Sequence, residues 1–315
     1  MTDDVFIAID SDALFNKSKA YIGKALRRKF EGELEEYQLW ASLALELLGK
    51  SALSRKHPCL VVDPSHSDSL FAAAGVQVTT DIKTITAKTL FLRLPTLAKR
   101  FDASVGKFCS EIAERRNAEL HSADLPFQGM KLEAWEKKYW HACDVILVHM
   151  GSSLERWLGA DSAEAPRHLL DEATSALNAA VQLRVDAAKK GFQALKKAER
   201  ERLATTAKHY DVRPLTALFT GRNDHIWDQP CPACDCRAFL IGKQTGEEIV
   251  PVTMSDYEPP TWEVVNRDYV AYEFRCPSCE LSLTGTQEIE AAGLSYEHEE
   301  QEERELQYEP DYGND

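Results

Sequence analysis

The chain has 315 residues, of which 44% are hydrophobic and 28% are charged, the balance of a soluble globular protein with room for two domains. Its longest apolar stretch, residues 39–49, contains Glu46 and is too short for a membrane span. The opening sequence MTDDVFIAID lacks the basic segment and apolar run of a signal peptide. We therefore expect a cytoplasmic protein that makes no membrane contact.

The net charge of −14 is distributed unevenly along the chain. Residues 297–315 contain nine acidic residues and one basic residue, and residues 221–296 contain thirteen acidic and five basic residues. The first 220 residues are nearly neutral, with 31 basic and 29 acidic residues. A surface that binds RNA is therefore compatible with that part of the chain, although the charge does not require one.

The first 160 residues are predicted to form a bundle of helices. Apolar residues at three- and four-residue spacing predict amphipathic helices over 10–29 and 32–54. After a loop with two prolines, the pattern predicts a short helix to Ala74 and longer helices over about 83–101, 104–120 and 131–158. We expect a mainly α fold with a helical bundle over residues 1–160.

Residues 161–212 are predicted to form a long helical connector. Pro166 is tolerated in a first helical turn, so it can begin a helix that runs to about Tyr210. An apolar seam for packing consists of Val181, Val185, Ala188, Phe192 and Leu195. Two interpretations of the basic residues remain open, a solvated face or contacts with a phosphate backbone; these residues are Lys189, Lys190, Lys196, Lys197, Arg200 and Arg202.

The composition changes after residue 212. Short runs rich in β-branched and aromatic residues, separated by Gly, Pro and Asp, predict strands over 213–296. Residues 297–315 contain almost no apolar side chains, and we expect them to be a disordered acidic tail.

Two Cys-x-x-Cys pairs flank the predicted strands and indicate a metal site. CPAC supplies Cys231 and Cys234, and CPSC supplies Cys276 and Cys279. Four thiolates form a closed tetrahedral shell for zinc, so we expect a small, β-rich structural zinc ribbon over 213–296. Cys236 does not fit the Cys-x-x-Cys spacing, and we expect it to be the one nearby cysteine that does not bind the metal. The alternative is a set of free or redox-active cysteines. The acidic surroundings favour a protein contact or a purely structural role for the ribbon.

The segment ERRNAELHSA, residues 114–123, crowds Arg115, Arg116, Asn117 and His121 at the end of a predicted helix. An arginine, a polar residue directly after it and a histidine five positions beyond the arginine resemble the signature of HEPN domains. These are all-α nuclease domains of bacterial toxin–antitoxin, abortive-infection and CRISPR-associated systems. Arg115 gives a second allowed spacing. The alternative interpretation is a helix terminus whose basic groups complement the helix dipole.

The resemblance covers about residues 10–160 and implies a HEPN-like bundle with nuclease activity. It implies a metal-independent endoribonuclease in which His121 transfers protons and Arg116 stabilises the phosphate, while Asn117 orients one of them. On an ideal helix Arg116 and His121 diverge by about 140°. They converge only if the helix relaxes near Leu120 or if two chains face each other, and HEPN nucleases pair in the second way.

The resemblance therefore implies a homodimer with an RNA substrate, and it adds an antitoxin or another defence-system protein as a partner. A second pair, Arg202 and His209, also satisfies the spacing. It lies on a lysine-rich helix and lacks the adjacent asparagine, so we expect it to belong to a solvent-exposed face of that helix. The alternative function is a catalytically inactive HEPN-like adaptor or antitoxin-type module that binds proteins.

Overall fold

The computed structural model describes residues 8–76, 78, 81–250 and 262–305, and the chain divides into two units, residues 1–176 and 177–315. The first unit is helical, and the second is built on a sheet. No helix in the described ranges is long and apolar enough to cross a membrane.

The described helices of the first unit follow the apolar periodicity of its sequence. They are α1 Ser11–Glu31, α2 Leu34–Lys56, α3 Ser67–Ala73, α4 Ala87–Leu97, α5 Ala103–His121, α6 Leu132–His149, α7 Leu154–Leu158 and the first half of α8 Ala160–Ala194, with a 3-10 turn at Pro58–Leu60. A side chain just before α5 determines where that helix begins. The carboxylate of Asp102 accepts hydrogen bonds from the backbone N–H groups of Ser104 and Val105, and this cap begins α5.

The core of the first unit is rich in aromatic side chains, and three of them form hydrogen bonds that join helices. The indole of Trp157 donates to the Ser18 hydroxyl at 2.8 Å, and the Tyr139 hydroxyl donates to the Ala41 carbonyl at 2.9 Å. The buried Tyr37 hydroxyl donates to Glu136 at 2.6 Å. Burial raises the pKa of Tyr37, and the negative charge of Glu136 raises it further. These bonds hold α6 and α7 against α1 and α2, because buried polar groups without partners are costly.

The second unit contains the remaining described elements. They are the second half of α8, α9 Lys197–Lys208, a 3-10 turn at Arg213–Leu218, β1 Asp224–Pro230, β2 Arg237–Val250, β3 Trp262–Arg275, β4 Ser282–Thr284, α10 Thr286–Ala291 and β5 Glu297–Glu305. The five strands form one antiparallel sheet in the order β1-β2-β3, and both β4 and β5 pair with β3.

The sheet is curled, and a glycine permits the close packing inside the curl. Two register shifts between β2 and β3 mark bulges, one of them at Ile241/Gly242. A Cβ atom at Gly242 would lie 2.6 Å from the Trp227 ring and 2.6 Å from the carbonyl oxygen of Val270. A side chain at position 242 would therefore clash with the Trp227 ring and with the backbone of β3.

Each face of the sheet packs on a different part of the second unit. One face buries Trp227, Leu240 and Phe274 against Val181 and Val185, the first two residues of the predicted seam on α8. The opposite face covers Phe239 and Ile241 with the 3-10 turn Arg213–Leu218 and its neighbours. A bidentate ion pair between Arg184 and Glu288, at 2.8 and 2.9 Å, further fixes α8 on α10.

The predicted fold class, a mainly α chain closed by a small zinc ribbon, is wrong. The C-terminal region is a curled five-stranded antiparallel sheet whose two central strands have 14 residues each. The segment between the cysteine pairs supplies both central strands of this sheet, β2 and β3. The predicted connector 161–212 also differs: α8 begins at Ala160, before Pro166, and the helix is interrupted before α9 begins at Lys197.

The acidic segment predicted to be disordered, 297–315, contains a strand. Residues 297–305 form β5, which pairs with β3 from Trp262 to Val270, while 306–315 lie outside the described residues. Composition misled the prediction because the strand is held by its backbone and by cross-strand ion pairs rather than by apolar burial. Arg304 of β5 binds Glu263 at 2.6 Å, and Arg267 of β3 binds Glu302.

Candidate metal centre and candidate nuclease motif

Cys231, Cys234, Cys276 and Cys279 converge in the second unit. Their sulfur atoms all lie within 4.8 Å of one another, and the pairs Cys231–Cys279 and Cys234–Cys276 are each 3.5 Å apart. A tetrahedral ion with metal–sulfur bonds of about 2.3 Å needs sulfur–sulfur distances of about 3.8 Å. The predicted cluster of four cysteines is confirmed as a group that could hold a metal ion.

The two Cys-x-x-Cys segments have the same backbone geometry. In each, the N–H of the first cysteine donates to the carbonyl five residues on, Cys236 or Leu281, at 3.0 and 2.9 Å. The N–H of Asp235 donates back to Cys231, and that of Glu280 donates back to Cys276. These paired bonds form two tight turns that direct two thiols each toward a common point.

The proximity of the thiols couples their protonation. Hydrogen bonds from the Cys234 thiol, then from Cys276 and Cys279, lower the pKa of Cys231 well below its ordinary value. The same thiolate raises the pKa of Cys234, because that thiol is the donor. A metal ion binds the thiolate form of cysteine, so a cation bound by these four side chains would displace their protons.

The other cysteines lie outside the cluster. Cys236 is buried with its thiol toward the Cys234 carbonyl, at 3.7 Å, and does not belong to the converging group. Cys109 and Cys143 are buried in the core of the first unit, where burial raises the pKa of each thiol. The structure thus separates one metal-competent cluster from cysteines that act as small apolar side chains.

The residues of the HEPN-like motif lie on the last two turns of α5. The helix continues without a break to His121, and Ser122 ends it by donating from its hydroxyl and its N–H to the Ala118 carbonyl. Asn117 and His121 are exposed, and their four-residue spacing places them on one face of the helix. Arg116 lies on a different face, so one chain alone does not bring Arg116 and His121 together.

Arg116 is held by an acidic residue of another helix. Its Nη2 atom donates to Glu46 Oε2 of α2 at 2.6 Å, and the two side chains are only 14% and 15% exposed. The other oxygen of Glu46 binds the ammonium of Lys50 at 2.9 Å, and Lys50 also reaches the Thr84 hydroxyl at 3.1 Å. The cluster of Lys50, Glu46 and Arg116 contains two cations and one anion. It therefore carries one excess positive charge on side chains that are mostly shielded from solvent.

Of the other residues discussed with the motif, Arg115 makes a structural contact and the rest are exposed to solvent. Arg115 donates to the Pro126 carbonyl at 2.7 Å, which ties the loop after α5 to the helix. Leu120 and Leu125 flank His121 in sequence and are 48% and 57% exposed. The second sequence match, Arg202 and His209, consists of exposed residues at α9 and its end.

Sequence reasoning missed Glu46 as the partner of Arg116. The signal was present, because Glu46 is the one charged residue within the apolar stretch 39–49. A carboxylate at such a position is expected to have a buried cationic partner. The periodicity of α2 could not identify that partner, since Arg116 is distant in sequence.

No family model, curated protein or solved structure matches the chain. The resemblance to HEPN nucleases therefore rests on the residues of the motif and their place at the end of α5.

Proposed function

We propose that the protein is a metal-independent endoribonuclease of a bacterial defence, abortive-infection or toxin–antitoxin system, acting as a homodimer. The observation that carries the proposal is the end of α5, where Asn117 and His121 are exposed on one face beside an arginine whose position is fixed by Glu46. Histidine can transfer protons near neutral pH, and arginine binds phosphate oxygens through a planar fork. Together they are suited to cleave a phosphodiester.

The proposed site is shared between two copies of the chain. A regular helix keeps Arg116 and His121 on different faces, so the arginine of one copy must act with the histidine of the other. The exposed side chains of Leu120 and Leu125 offer apolar surface beside His121 that a second copy would cover. In a two-fold dimer the same patch contributes to both halves of the interface, which would create two equivalent sites.

The proposed reaction uses the 2′-hydroxyl of RNA as the nucleophile. Its oxygen attacks the adjacent phosphorus, the bond from phosphorus to the 5′-oxygen breaks, and a 2′,3′-cyclic phosphate and a 5′-hydroxyl result. His121 removes the proton of the 2′-hydroxyl or donates a proton to the departing 5′-oxygen. Asn117 orients His121 or the phosphate, and Arg116 stabilises the negative charge that develops on the phosphate. Glu46 occupies only one of the N–H donors of Arg116, which leaves others for a phosphate.

We infer that the ion held by the four cysteines is zinc with a structural role. Soft thiolate ligands in a tetrahedral arrangement favour Zn²⁺, and a shell of four protein ligands leaves no position for a substrate. The ion would join the turn after β1 to the turn after β3, next to the apolar core of the second unit. The metal is thus assigned to stability rather than to RNA cleavage.

A second candidate function is a non-catalytic adaptor that binds a protein partner. The observation that favours it is the ion pair itself, because Glu46 already binds part of the guanidinium that Arg116 would offer to a phosphate. Expression in bacteria separates the two functions. A nuclease should arrest growth, and His121→Ala should relieve the arrest at equal protein level, whereas an adaptor should give the same growth with either chain.

Mixing two inactive variants tests the shared site. A dimer of one Arg116→Ala chain and one His121→Ala chain retains one intact site, so mixed variants should recover about a quarter of the parent activity. Each variant alone should stay inactive. Failure of the mixture to recover activity, with heterodimers present, would contradict a site shared between copies.

A further inference from the structure

A second cluster of metal-ligating side chains lies on the sheet of the second unit and shares no residue with the four-cysteine cluster. It consists of His225 on β1 and of His298 and Glu300 on β5, whose ligand atoms all lie within 4.8 Å of one another. Nε2 of His225 is 3.2 Å from Oε2 of Glu300. Neither histidine belongs to the nuclease motif or to the cysteine cluster.

We propose that His225, His298 and Glu300 form a binding site for a divalent first-row transition-metal ion, separate from the four-cysteine centre. Two imidazoles and one carboxylate are a ligand set that such ions favour. With metal–ligand bonds of 2.0–2.1 Å, tetrahedral geometry needs ligand atoms about 3.3 Å apart. The distance of 3.2 Å between Nε2 of His225 and Oε2 of Glu300 is close to that value, and the ligand atom of His298 lies within 4.8 Å of both.

The curl of the sheet builds this cluster. Strands β1 and β5 are separated by β2 and β3, and in a flat sheet three strand spacings would place them about 14 Å apart. Here the rings of His225 and His298 have their centres 6.2 Å apart and are nearly parallel. Gly242, which pairs with His225, has no side chain, so the ring of Trp227 can lie against its backbone.

Neighbouring aromatic rings hold both histidines in place. The His298 ring stacks on Trp227 at 4.8 Å and 10°, and the His225 ring lies 4.9 Å from Tyr269. Trp227 and Tyr269 are themselves buried in the core of the unit. Because the imidazoles are already ordered, less conformational entropy is lost when an ion binds than at a pair of free surface histidines.

Charge and exposure favour a cation with an open coordination position. β5 is rich in glutamate, so the potential around the cluster is negative and attracts cations. The carboxylate of Glu300 is 44% exposed, so the ion would be reached from solvent. Three protein ligands leave at least one position for water or an exchangeable ligand, in contrast to the closed shell of the cysteines.

Nickel binding to the zinc-loaded full-length protein tests the proposal. We expect calorimetric titration with Ni²⁺ to show one site beyond the zinc, weakened at least tenfold by His225→Ala and by His298→Ala. Glu300→Ala changes an exposed side chain and should also weaken binding. Zinc content of one per chain and an unchanged circular dichroism spectrum would verify that the variants are folded.

The matched control is His168→Ala, since His168 also lies beside a glutamate, Glu172, at 3.6 Å but has no third ligand in the described group. This variant should bind Ni²⁺ like the parent. The proposal is overturned if the parent binds no Ni²⁺ beyond its zinc, or if Glu300→Ala and His298→Ala bind it as tightly as the parent. The outcome does not depend on RNA cleavage, so it can fail or succeed independently of the proposed nuclease.

Discussion

Asp235 and Glu280 follow the second cysteine of each Cys-x-x-Cys turn, and both adopt the left-handed backbone conformation, with φ of 59° and 61°. This conformation lets the chain reverse so that both thiols of a turn face the same point. It is unfavourable for residues with a Cβ atom, by about 1–2 kcal/mol, and less so for aspartate than for glutamate. The two turns of the metal centre are thus strained in the same place.

Glycine at either position should relieve that strain. We expect Glu280→Gly to raise the free energy of unfolding by roughly 0.5–1 kcal/mol, and Asp235→Gly to raise it by less. Urea-induced zinc release, followed with a colorimetric chelator, reports on the second unit specifically. Gly293→Ala is the control of opposite sign, because Gly293 has φ of 78° and no steric neighbour. Equal midpoints for the parent and Glu280→Gly would contradict the account.

Metal content tests which cysteines bind. Cys276→Ser should lose the zinc and much of the folded second unit, because ion binding supplies folding free energy to such sites. Cys236→Ser should keep one zinc per chain, since its thiol lies outside the cluster. Elemental analysis of the freshly purified variants measures the zinc content of each. A normal zinc content in Cys276→Ser would refute the ligand assignment.

The ion pair between Glu46 and Arg116 should contribute to the stability of the first unit. Glu46→Ala leaves Arg116 and Lys50 partly buried without their partner, and we expect a loss of roughly 1–3 kcal/mol. Urea unfolding followed by tryptophan fluorescence measures this loss. Glu111→Ala, which removes an exposed pair with Lys107 on α5, should change stability by less than about 0.5 kcal/mol. Similar effects of both substitutions would show that the buried pair has no special role.

The close packing at the bulge between Ile241 and Gly242 depends on Gly242 having no side chain. Gly242→Ala would place a methyl group against the Trp227 ring and the Val270 carbonyl, and because the latter is backbone it cannot simply move aside. We expect a loss of about 1–3 kcal/mol and a changed near-ultraviolet circular dichroism signal of Trp227. Gly246→Ala on the same strand meets the flexible side chain of Asp268 instead and serves as the comparison.

Local patterns predicted what local interactions determine. The helices of the first unit follow from apolar periodicity and side-chain caps, and the four cysteine ligands follow from their spacing in two short turns. The strand β5 could not be predicted in this way, because Arg267 and Glu302 become neighbours only through strand pairing. The same holds for Glu46 and Arg116, which lie on helices far apart in sequence, and for His225 and His298, which meet only because the sheet curls.

Incubation of the purified protein with RNA in excess EDTA, with the product ends mapped, decides whether the protein is a metal-independent nuclease. The account predicts 2′,3′-cyclic phosphate ends and a rate that falls by about 10²–10⁴ in His121→Ala, while His209→Ala from the second sequence match cleaves like the parent. Equal zinc content and an unchanged circular dichroism spectrum, both measured before EDTA is added, exclude unfolding as the cause. The proposed nuclease is contradicted if the parent protein leaves RNA intact, or if His121→Ala cleaves as fast as the parent.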